Sequence, residues 1–313
     1  SDEGFILGGK THINTNGKGF DDDGDILIIK TDNLGNEEWH SAFDLNAGLE
    51  ANSMSVCQTS DNGYIICGTK RIDVNEPDNY GHADIWLCKI NNSGDLEWEK
   101  TFGPPGDNLD SWDYGADVKQ TPDGGYIICG RSEHGIGNSG GGDALLIRTN
   151  HTGQVLWQKF IGGSDSSDTS ESLELTDDGG FIVVGQSDNG NPINGGNNGD
   201  VYIFKTNESG DVLWEMYYGG EGEDYGFDVK KTAEGGYIIC GGYEATISGV
   251  YQTYLIKTDS EGTLSSEFTI PTPSPKILDK VVDALGREVN RTTNQILFYI
   301  YDDGSVEKKF IFE

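Results

Sequence analysis

Three aspartates recur eight residues before a threonine that ends a strand-like run: Asp113, Asp168 and Asp224. Tyr114 and Tyr225 follow two of them, and Trp112 precedes one. Carboxylates that converge on one point suit a hard cation such as Ca²⁺, and carboxylates beside aromatic rings suit a sugar. The sequence favours a simpler interpretation, in which each Asp caps its own turn or the backbone amides of a neighbour.

Two further acidic patterns are weaker signals. Asp21, Asp23 and Asp25 lie in an acidic run that offers carboxylates to Ca²⁺, but the run lacks the spacing and terminal Glu of an EF-hand loop. A second set recurs just before a strand-like run: Asp25, Asp84, Asp143 and Asp200. Repetition at this position in every repeat but the last favours a scaffold role over a ligand role.

No pair of nucleophile and base is recognisable in the sequence. His12, His82 and His134 lie in long loops, where a shared metal site or general base is the less favoured interpretation. The chain has no zinc-binding helix motif. No catalytic residue is therefore assigned, and a non-enzymatic role is favoured.

These residues are positioned by an internal repeat. A Gly-aromatic-apolar run begins at residues 4, 63, 125, 180 and 236, and a second landmark recurs as Trp39, Trp98, Trp157 and Trp214. Both landmarks keep a period of about 55–62 residues. Each period holds four strand-like runs separated by Asn/Asp-x-x-Gly turns, in which Gly supplies a positive φ.

The repeat predicts an all-β protein, a β-propeller of four-stranded antiparallel blades. Residues 1–270 form the propeller, with repeats at about 1–44, 45–106, 107–163, 164–220 and 221–270. The four tryptophans are predicted to dock each blade on its neighbour, and Ser266 replaces the fifth. The first repeat lacks an innermost strand, so either residues upstream of Ser1 supply it or another segment closes the ring.

Charge and composition limit the partners. With 21 basic and 53 acidic residues the net charge is −32, which repels nucleic acids and leaves cations, cationic partners and neutral sugars as ligands. The lack of a long apolar run argues against an integral membrane protein. Cys67, Cys129 and Cys240 share a strand position that Leu7 and Val184 fill elsewhere, which indicates a buried packing site.

A disulfide between Cys57 and Cys67, on either side of one turn, is left open.

The segments at 153–163 and 210–220 resemble the tryptophan-docking repeats of quinoprotein-like propellers. The whole repeat is similar to repeats of secreted Bacteroidetes propellers with no assigned role. This resemblance covers roughly residues 1–270 and implies a propeller fold, but it says little about activity.

After a stiff Pro-rich linker at residues 271–275, residues 276–313 resemble the type A C-terminal sorting domain of type IX secretion substrates. The resemblance rests on seven residues, followed by a terminal strand: Asp283, Gly286, Arg287, Asp303, Gly304, Lys308 and Lys309. It implies export across the outer membrane, recognition by the translocon and its shuttle protein, and attachment at the cell surface.

The functional expectation combines these observations. The long loops of the repeats collect on one face of a propeller, which makes that face the candidate ligand site. The leading interpretation is a secreted or surface-bound binding or adhesion module, with Ca²⁺ as the one cofactor considered and an extracellular glycan or protein as the ligand. The alternatives are a polysaccharide-active or quinone-dependent enzyme that uses the acidic channel mouth, and a structural component of a surface layer or filament.

Overall fold

A computed structural model shows the architecture of the chain. The structure describes these residues: 3–11, 25–43, 54–71, 83–103, 112–133, 142–163, 166–188, 199–220, 222–244, 251–266, 278–283, 287–289, 296–301 and 306–310. The chain divides into two compact units, Ser1–Phe268 and Thr269–Glu313. The described part of the chain contains no helix with the length and hydropathy of a membrane-spanning segment.

Unit 1 is built from five antiparallel sheets, which we number as blades 1–5. Blade 1 has β1 (Phe5–Thr11), β2 (Asp25–Thr31) and β3 (Glu37–Phe43). Blade 2 has β4 (Ser55–Gln58), β5 (Tyr64–Arg71), β6 (Ala83–Ile90) and β7 (Leu96–Phe102). Blade 3 has β8 (Asp113–Gln120), β9 (Tyr126–Ser132), β10 (Asp143–Thr149) and β11 (Val155–Ile161). Blade 4 has β12 (Ser172–Leu175), β13 (Phe181–Ser187), β14 (Asp200–Thr206) and β15 (Val212–Tyr218). Blade 5 has β16 (Asp224–Lys231), β17 (Tyr237–Glu244), β18 (Tyr251–Thr258) and β19 (Leu264–Ser266).

Strands pair in chain order within every blade, and blade 1 begins at its second strand. The predicted β-propeller of four-stranded antiparallel blades is confirmed, and among the described residues the first blade has three strands. The turn between the third and fourth strands shows why the strands end where they do. In blade 3, the Asn150 side chain accepts the backbone N–H groups of Thr152 and Gln154 at 3.0 Å each, and Gly153 adopts φ +76°. Only glycine adopts this backbone freely, so the Asn-x-x-Gly spacing fixes the turn.

The cores of unit 1 lie between blades. The second strand of a blade is apolar on both faces because both faces are covered. In β5, Ile66 packs in a cluster with blade 1, whereas Ile65 and Cys67 pack in a cluster with blade 3. Equivalent clusters join blades 3 and 4 and blades 4 and 5. Each of these four junctions is therefore an apolar interface to which both blades contribute.

A tryptophan reaches across each junction at its outer edge. Trp39 contacts Tyr64 of the next blade, with ring centroids 5.9 Å apart. The same contact recurs as Trp98–Tyr126, Trp157–Phe181 and Trp214–Tyr237, at 5.9, 6.2 and 6.2 Å. A glycine of the next blade lies under each tryptophan, and a Cβ on it would lie within 2.8 Å of the indole: Gly94, Gly153, Gly210 and Gly262. The indole thus fits only because the turn has no side chain.

The inner strands of blades 2 to 5 are joined by two carboxylates. Asp117 of β8 accepts the Ser55 hydroxyl of blade 2 at 2.5 Å and the Leu173 backbone N–H of blade 4 at 3.1 Å. Ser172 of blade 4 in turn donates to Asp228 of blade 5 at 2.8 Å. These hydrogen bonds link four consecutive blades close to the axis.

Large apolar side chains are exposed at both ends of the blade series, within the part of the chain that the structure describes. In blade 1, Phe5 is 57% exposed, whereas Tyr64 at the equivalent position is 4% exposed. Leu7 is also 53% exposed. In blade 5, Phe227 is 56% exposed. Among the described strands, blades 1 and 5 do not pack substantially on one another.

The strand pairing corrects one alignment made from the sequence. Gly8 pairs with Ile28 as Cys67 pairs with Leu87, so Gly8 and not Leu7 occupies the cysteine position. The apolar run between its two glycines is one residue shorter in the first repeat, Gly4 to Gly8, than in the others. Aligning Gly8 with the second glycine of the other repeats therefore places Leu7 one position too far along the strand. A shift of one residue turns a side chain to the opposite face of the sheet.

All five cysteines are free, and the disulfide considered between Cys57 and Cys67 is absent. Cys57 lies opposite Ile65, and Cys67 lies opposite Ser55, so the two thiols are not paired across the hairpin. Cys67, Cys88 and Cys129 are fully buried, as the predicted packing position requires of Cys67 and Cys129. Cys240 faces the uncovered side of blade 5 and is partly exposed.

Unit 2 is a three-stranded antiparallel sheet of β20 (Leu278–Asp283), β21 (Ile296–Tyr301) and β22 (Val306–Phe310). Its central strand contributes a buried Tyr299, and Val282 of β20 is buried as well. Asp283 lies at the end of β20, Arg287 is exposed, and Lys308 and Lys309 lie in β22. Gly286, Asp303 and Gly304 lie outside the described residues.

Candidate functional site

The recurring aspartates meet in pairs at the junctions between blades. The Asp168 backbone N–H donates to the Gly142 carbonyl at 2.6 Å, and the Asp224 N–H donates to the Gly199 carbonyl at 2.7 Å. These glycines directly precede Asp143 and Asp200. At the junction of blades 2 and 3, Trp112 bridges to Ala83, which precedes Asp84. One backbone contact therefore sets each inner-strand aspartate beside the aspartate of the preceding blade.

Two of these pairs lie around a glycine that has no room for a side chain. The position of a Cβ on Gly162 is 2.3 Å from Asp168 Oδ2 and 2.8 Å from Asp143 Oδ1. The corresponding position on Gly219 is 1.8 Å from Asp200 Oδ1 and 2.8 Å from Asp224 Oδ2. Since both oxygens of a pair lie this close to one point, the two carboxylates of each pair approach one another closely.

Local hydrogen bonds satisfy two of the three inner-strand aspartates. Asp168 accepts the Gly163 N–H at 3.0 Å and the Ser166 hydroxyl at 2.6 Å. Asp224 accepts the Gly220 N–H at 2.9 Å. These two residues thus cap their own loops, which is the role that the sequence favours. Asp113 is different, because within the described residues neither of its side-chain oxygens makes a hydrogen bond of normal geometry.

The electrostatics at the junction of blades 4 and 5 are unequal. Burial, reinforced by the charges of Asp224 and Glu223, raises the pKa of Asp200 to about 6. Burial also raises the pKa of Asp224, against the lowering effect of its Gly220 hydrogen bond. Glu223 is partly exposed and accepts the Gln186 side-chain amide at 2.9 Å. This junction therefore combines a buried carboxyl group of raised pKa with a glutamate that is partly exposed to solvent.

Aromatic rings flank the acidic residues at two junctions. Trp112 and Tyr114 are stacked, with centroids 6.2 Å apart and planes 18° apart, on either side of Asp113 in sequence. Tyr225 and Phe227 are stacked at 6.0 Å and 6° directly after Asp224. Phe227 is 56% exposed. An exposed aromatic face next to carboxylates is a surface on which a sugar ring can stack.

The sequence grouped the aspartates differently from the structure. Asp113, Asp168 and Asp224 each pair with an aspartate of the preceding blade, and the described residues hold no group of three or more acidic, His or Cys side chains that could bind a metal. The scaffold set of Asp84, Asp143 and Asp200 thus belongs to the same clusters. The two sets recur in step along the sequence, but this spacing does not show that they meet.

Several predicted ligands lie outside the described residues. They are Asp21, Asp23, His12, His82 and His134. Asp25 begins β2, at the position that corresponds to Asp84 in blade 2. The tryptophans predicted to dock the blades make the contacts described above.

Comparison with known proteins identifies the fold only. No family model and no curated protein sequence matches the chain. Among solved structures, a polysaccharide lyase of family PL25, an ulvan lyase, aligns with a TM-score of 0.50 at 9% identity, over 100% of this chain and 77% of that one. A thermostable family-43 glycoside hydrolase aligns with a TM-score of 0.43 at 12% identity, over 83% and 92% of the two chains. The GH32 β-fructofuranosidase of Bombyx mori aligns with a TM-score of 0.44 at 11% identity, over 98% and 84%.

Proposed function

We propose that the propeller acts on a polysaccharide at the acidic end of its blade junctions. We use this term for the end where the paired aspartates described above lie. The observation that carries the proposal is the junction of blades 4 and 5, where Asp200, with a pKa of about 6, lies beside the partly exposed Glu223. Glycoside cleavage needs one carboxyl group that holds a proton near neutral pH and one that stays ionised. The polysaccharide-directed neighbours of the fold, the ulvan lyase among them, are consistent with this assignment.

The proposed roles follow from these environments. Asp200 donates its proton to the glycosidic oxygen as the C–O bond breaks, and Asp224 keeps that proton in place by opposing the second negative charge. Glu223 takes a proton from a water molecule whose oxygen bonds to the anomeric carbon as the leaving sugar departs with the proton from Asp200. Gln186 holds the Glu223 side chain in orientation. The Tyr225–Phe227 ring pair is the stacking surface for a neighbouring sugar unit.

The net charge of −32 favours an uncharged polysaccharide over an anionic one, because like charges repel at long range. This separates the proposed substrate class from the glucuronate- and sulfate-bearing saccharide found with the PL25 lyase. A second candidate function is binding without cleavage. It is favoured by the burial of Asp200 and Asp224, which are 2% and 5% exposed.

One set of assays distinguishes the two functions. The intact chain is incubated with neutral glucans, xylans, galactans and fructans and with an anionic polysaccharide, and both pull-down and release of reducing ends are measured. We expect release from a neutral polymer, at least 100-fold lower in Asp200→Asn and Glu223→Gln. Asp143→Asn, at the equivalent place in blade 3, is the matched control and should keep activity. Binding with no release supports the second candidate, and neither binding nor release contradicts both.

We also propose that residues 276–313 direct export through the type IX system and leave the protein outside the cell, with the translocon and its shuttle protein as partners. The order of the motifs and the terminal strand β22 support this. In a host that has the system, deletion of residues 271–313 should retain the protein inside the cell. The Lys308→Ala/Lys309→Ala variant keeps the strand and tests the motif itself. Unimpaired secretion of the deletion variant would rule out the proposal.

A further inference from the structure

Asp113 is a buried carboxylate with few partners. It begins β8 and is 0% exposed. Neither Oδ1 nor Oδ2 makes a hydrogen bond of normal geometry within the described residues, although the nearby Ser132 hydroxyl stabilises its charge. Asp84 and Glu133 add negative charge nearby and no basic side chain is among the groups that shift its titration. A charge in this position needs a counter-charge or a proton.

The two equivalent junctions have hydrogen-bond donors to the aspartate that this junction lacks among the described residues. Asp168 and Asp224 accept hydrogen bonds from their own loops, through Gly163 and Ser166 in one case and Gly220 in the other. The backbone contact that sets the pair is kept between blades 2 and 3, where Trp112 bridges to Ala83. The junction of blades 2 and 3 thus has the same carboxylates without the same donors among the described residues.

We propose that Asp113 and Asp84 bind a divalent cation, Ca²⁺, that joins blade 2 to blade 3. Ca²⁺ takes six to eight oxygen ligands in flexible geometry and accepts bidentate carboxylates, hydroxyls and water. Both oxygens of Asp113 are available for it, with Asp84 across the junction and Ser132 beside it. The proposal does not depend on the proposed activity, which uses the junction of blades 4 and 5.

Terbium luminescence tests the site directly. Tb³⁺ replaces Ca²⁺ at oxygen sites and emits when an adjacent excited indole transfers energy to it, and Trp112 is next to Asp113 in the chain. Because a chain of charge −32 also attracts Tb³⁺ at its surface, the readout is the emission that Trp112→Phe removes. We expect this emission to saturate with one ion and to fall at least tenfold in Asp113→Asn and Asp84→Asn. Asp168→Asn, at the equivalent place in the next junction, should keep it.

Thermal unfolding gives an independent readout. In a chelator-treated sample, added Ca²⁺ should raise the Tm of the wild type, Trp112→Phe and Asp168→Asn, because a ligand that binds only the folded state stabilises it. Asp113→Asn should show no Ca²⁺-dependent shift, and Mg²⁺ should not replace Ca²⁺. An equal shift in Asp113→Asn, or no Trp112-dependent emission with the wild type, overturns the proposal. If Asp113→Asn fails to fold, Asp84→Asn decides by the same two readouts.

Discussion

The outer edge and the acidic end of the blade junctions follow opposite rules. At the outer edge the same contact is repeated four times, with a tryptophan over an aromatic ring and a glycine. At the acidic end the carboxylate pairs recur, but their partners differ from junction to junction. Uniform repetition is what packing requires, whereas departure from the repeat marks positions where another demand acts on the sequence. The comparison therefore indicates a stabilising role for the outer edge, and it is at the acidic end that we propose ligand chemistry.

The largest effect is expected at the outer edge. Trp98→Ala removes a ring that contacts Tyr126 at 5.9 Å and packs on the cluster between blades 2 and 3. It should lower the free energy of unfolding by about 4 kcal/mol, since large-to-small changes leave a cavity. Denaturant unfolding measures this, with Leu156→Ala, at a residue 57% exposed, as the control. A loss below 1 kcal/mol would show that the indole does not hold the blades together.

A smaller loss is expected for Gly153→Ala. A Cβ there would lie 2.8 Å from the Trp98 ring, and the backbone φ is +76°. Overpacking and backbone strain together should cost about 2–3 kcal/mol. Gly124→Ala is the matched control, because its φ is +85° but nothing lies within 4 Å of the added Cβ. The control should lose only the strain, about 1 kcal/mol, and equal losses would contradict the fit of the indole against the turn.

At the acidic end, Asp113→Asn should stabilise the protein in chelator at neutral pH. Burial raises the pKa of Asp113 from 3.8 to about 6, so its contribution to stability is full below pH 4 and is lost as the pH rises through 6. The gain of the Asn variant should be near zero at pH 4 and reach on the order of 2 kcal/mol at pH 7. Unfolding curves across this range measure it. Asp168→Asn should show no such gain, because the carboxylate that it removes accepts two hydrogen bonds.

The smallest effect is expected at the uncovered end. Phe5 is 57% exposed, and among the described residues no tryptophan ring packs on it. Phe5→Ala should lower the free energy of unfolding by less than about 1 kcal/mol. Phe181→Ala, at the equivalent place under Trp157, should cost about 3–4 kcal/mol. Similar losses in both variants would mean that the face of blade 1 is covered in solution.

The sequence predicted the parts of the fold that depend on its period. Strand order, turns and the incomplete first blade follow from Gly and Trp landmarks that recur at fixed spacing. The same method misplaced Leu7, because the first repeat matches its glycine one residue early. Register is set by pairing with β2, which a comparison of single segments does not contain.

The sequence predicted the residues of the candidate site but not how they pair. Both sets of aspartates were found, but the sequence placed Asp113 with Asp168 and Asp224, whereas the structure pairs it with Asp84. The pairing depends on the contact between the third strand of one blade and the first strand of the next. That distance comes from the packing of the blades and leaves no mark in the spacing within a repeat.

The buried cysteines make the opening of individual blade junctions measurable by thiol alkylation. Cys88 lies in the cluster between blades 1 and 2, Cys67 in the next and Cys129 in the one after. Burial raises the pKa of Cys88 to about 12 and also raises those of Cys67 and Cys129, so none forms a reactive thiolate while its junction stays closed. The rate at which each thiol is alkylated is then the rate at which that junction exposes it. Each of the first three junctions thus contains a thiol whose alkylation can be followed separately.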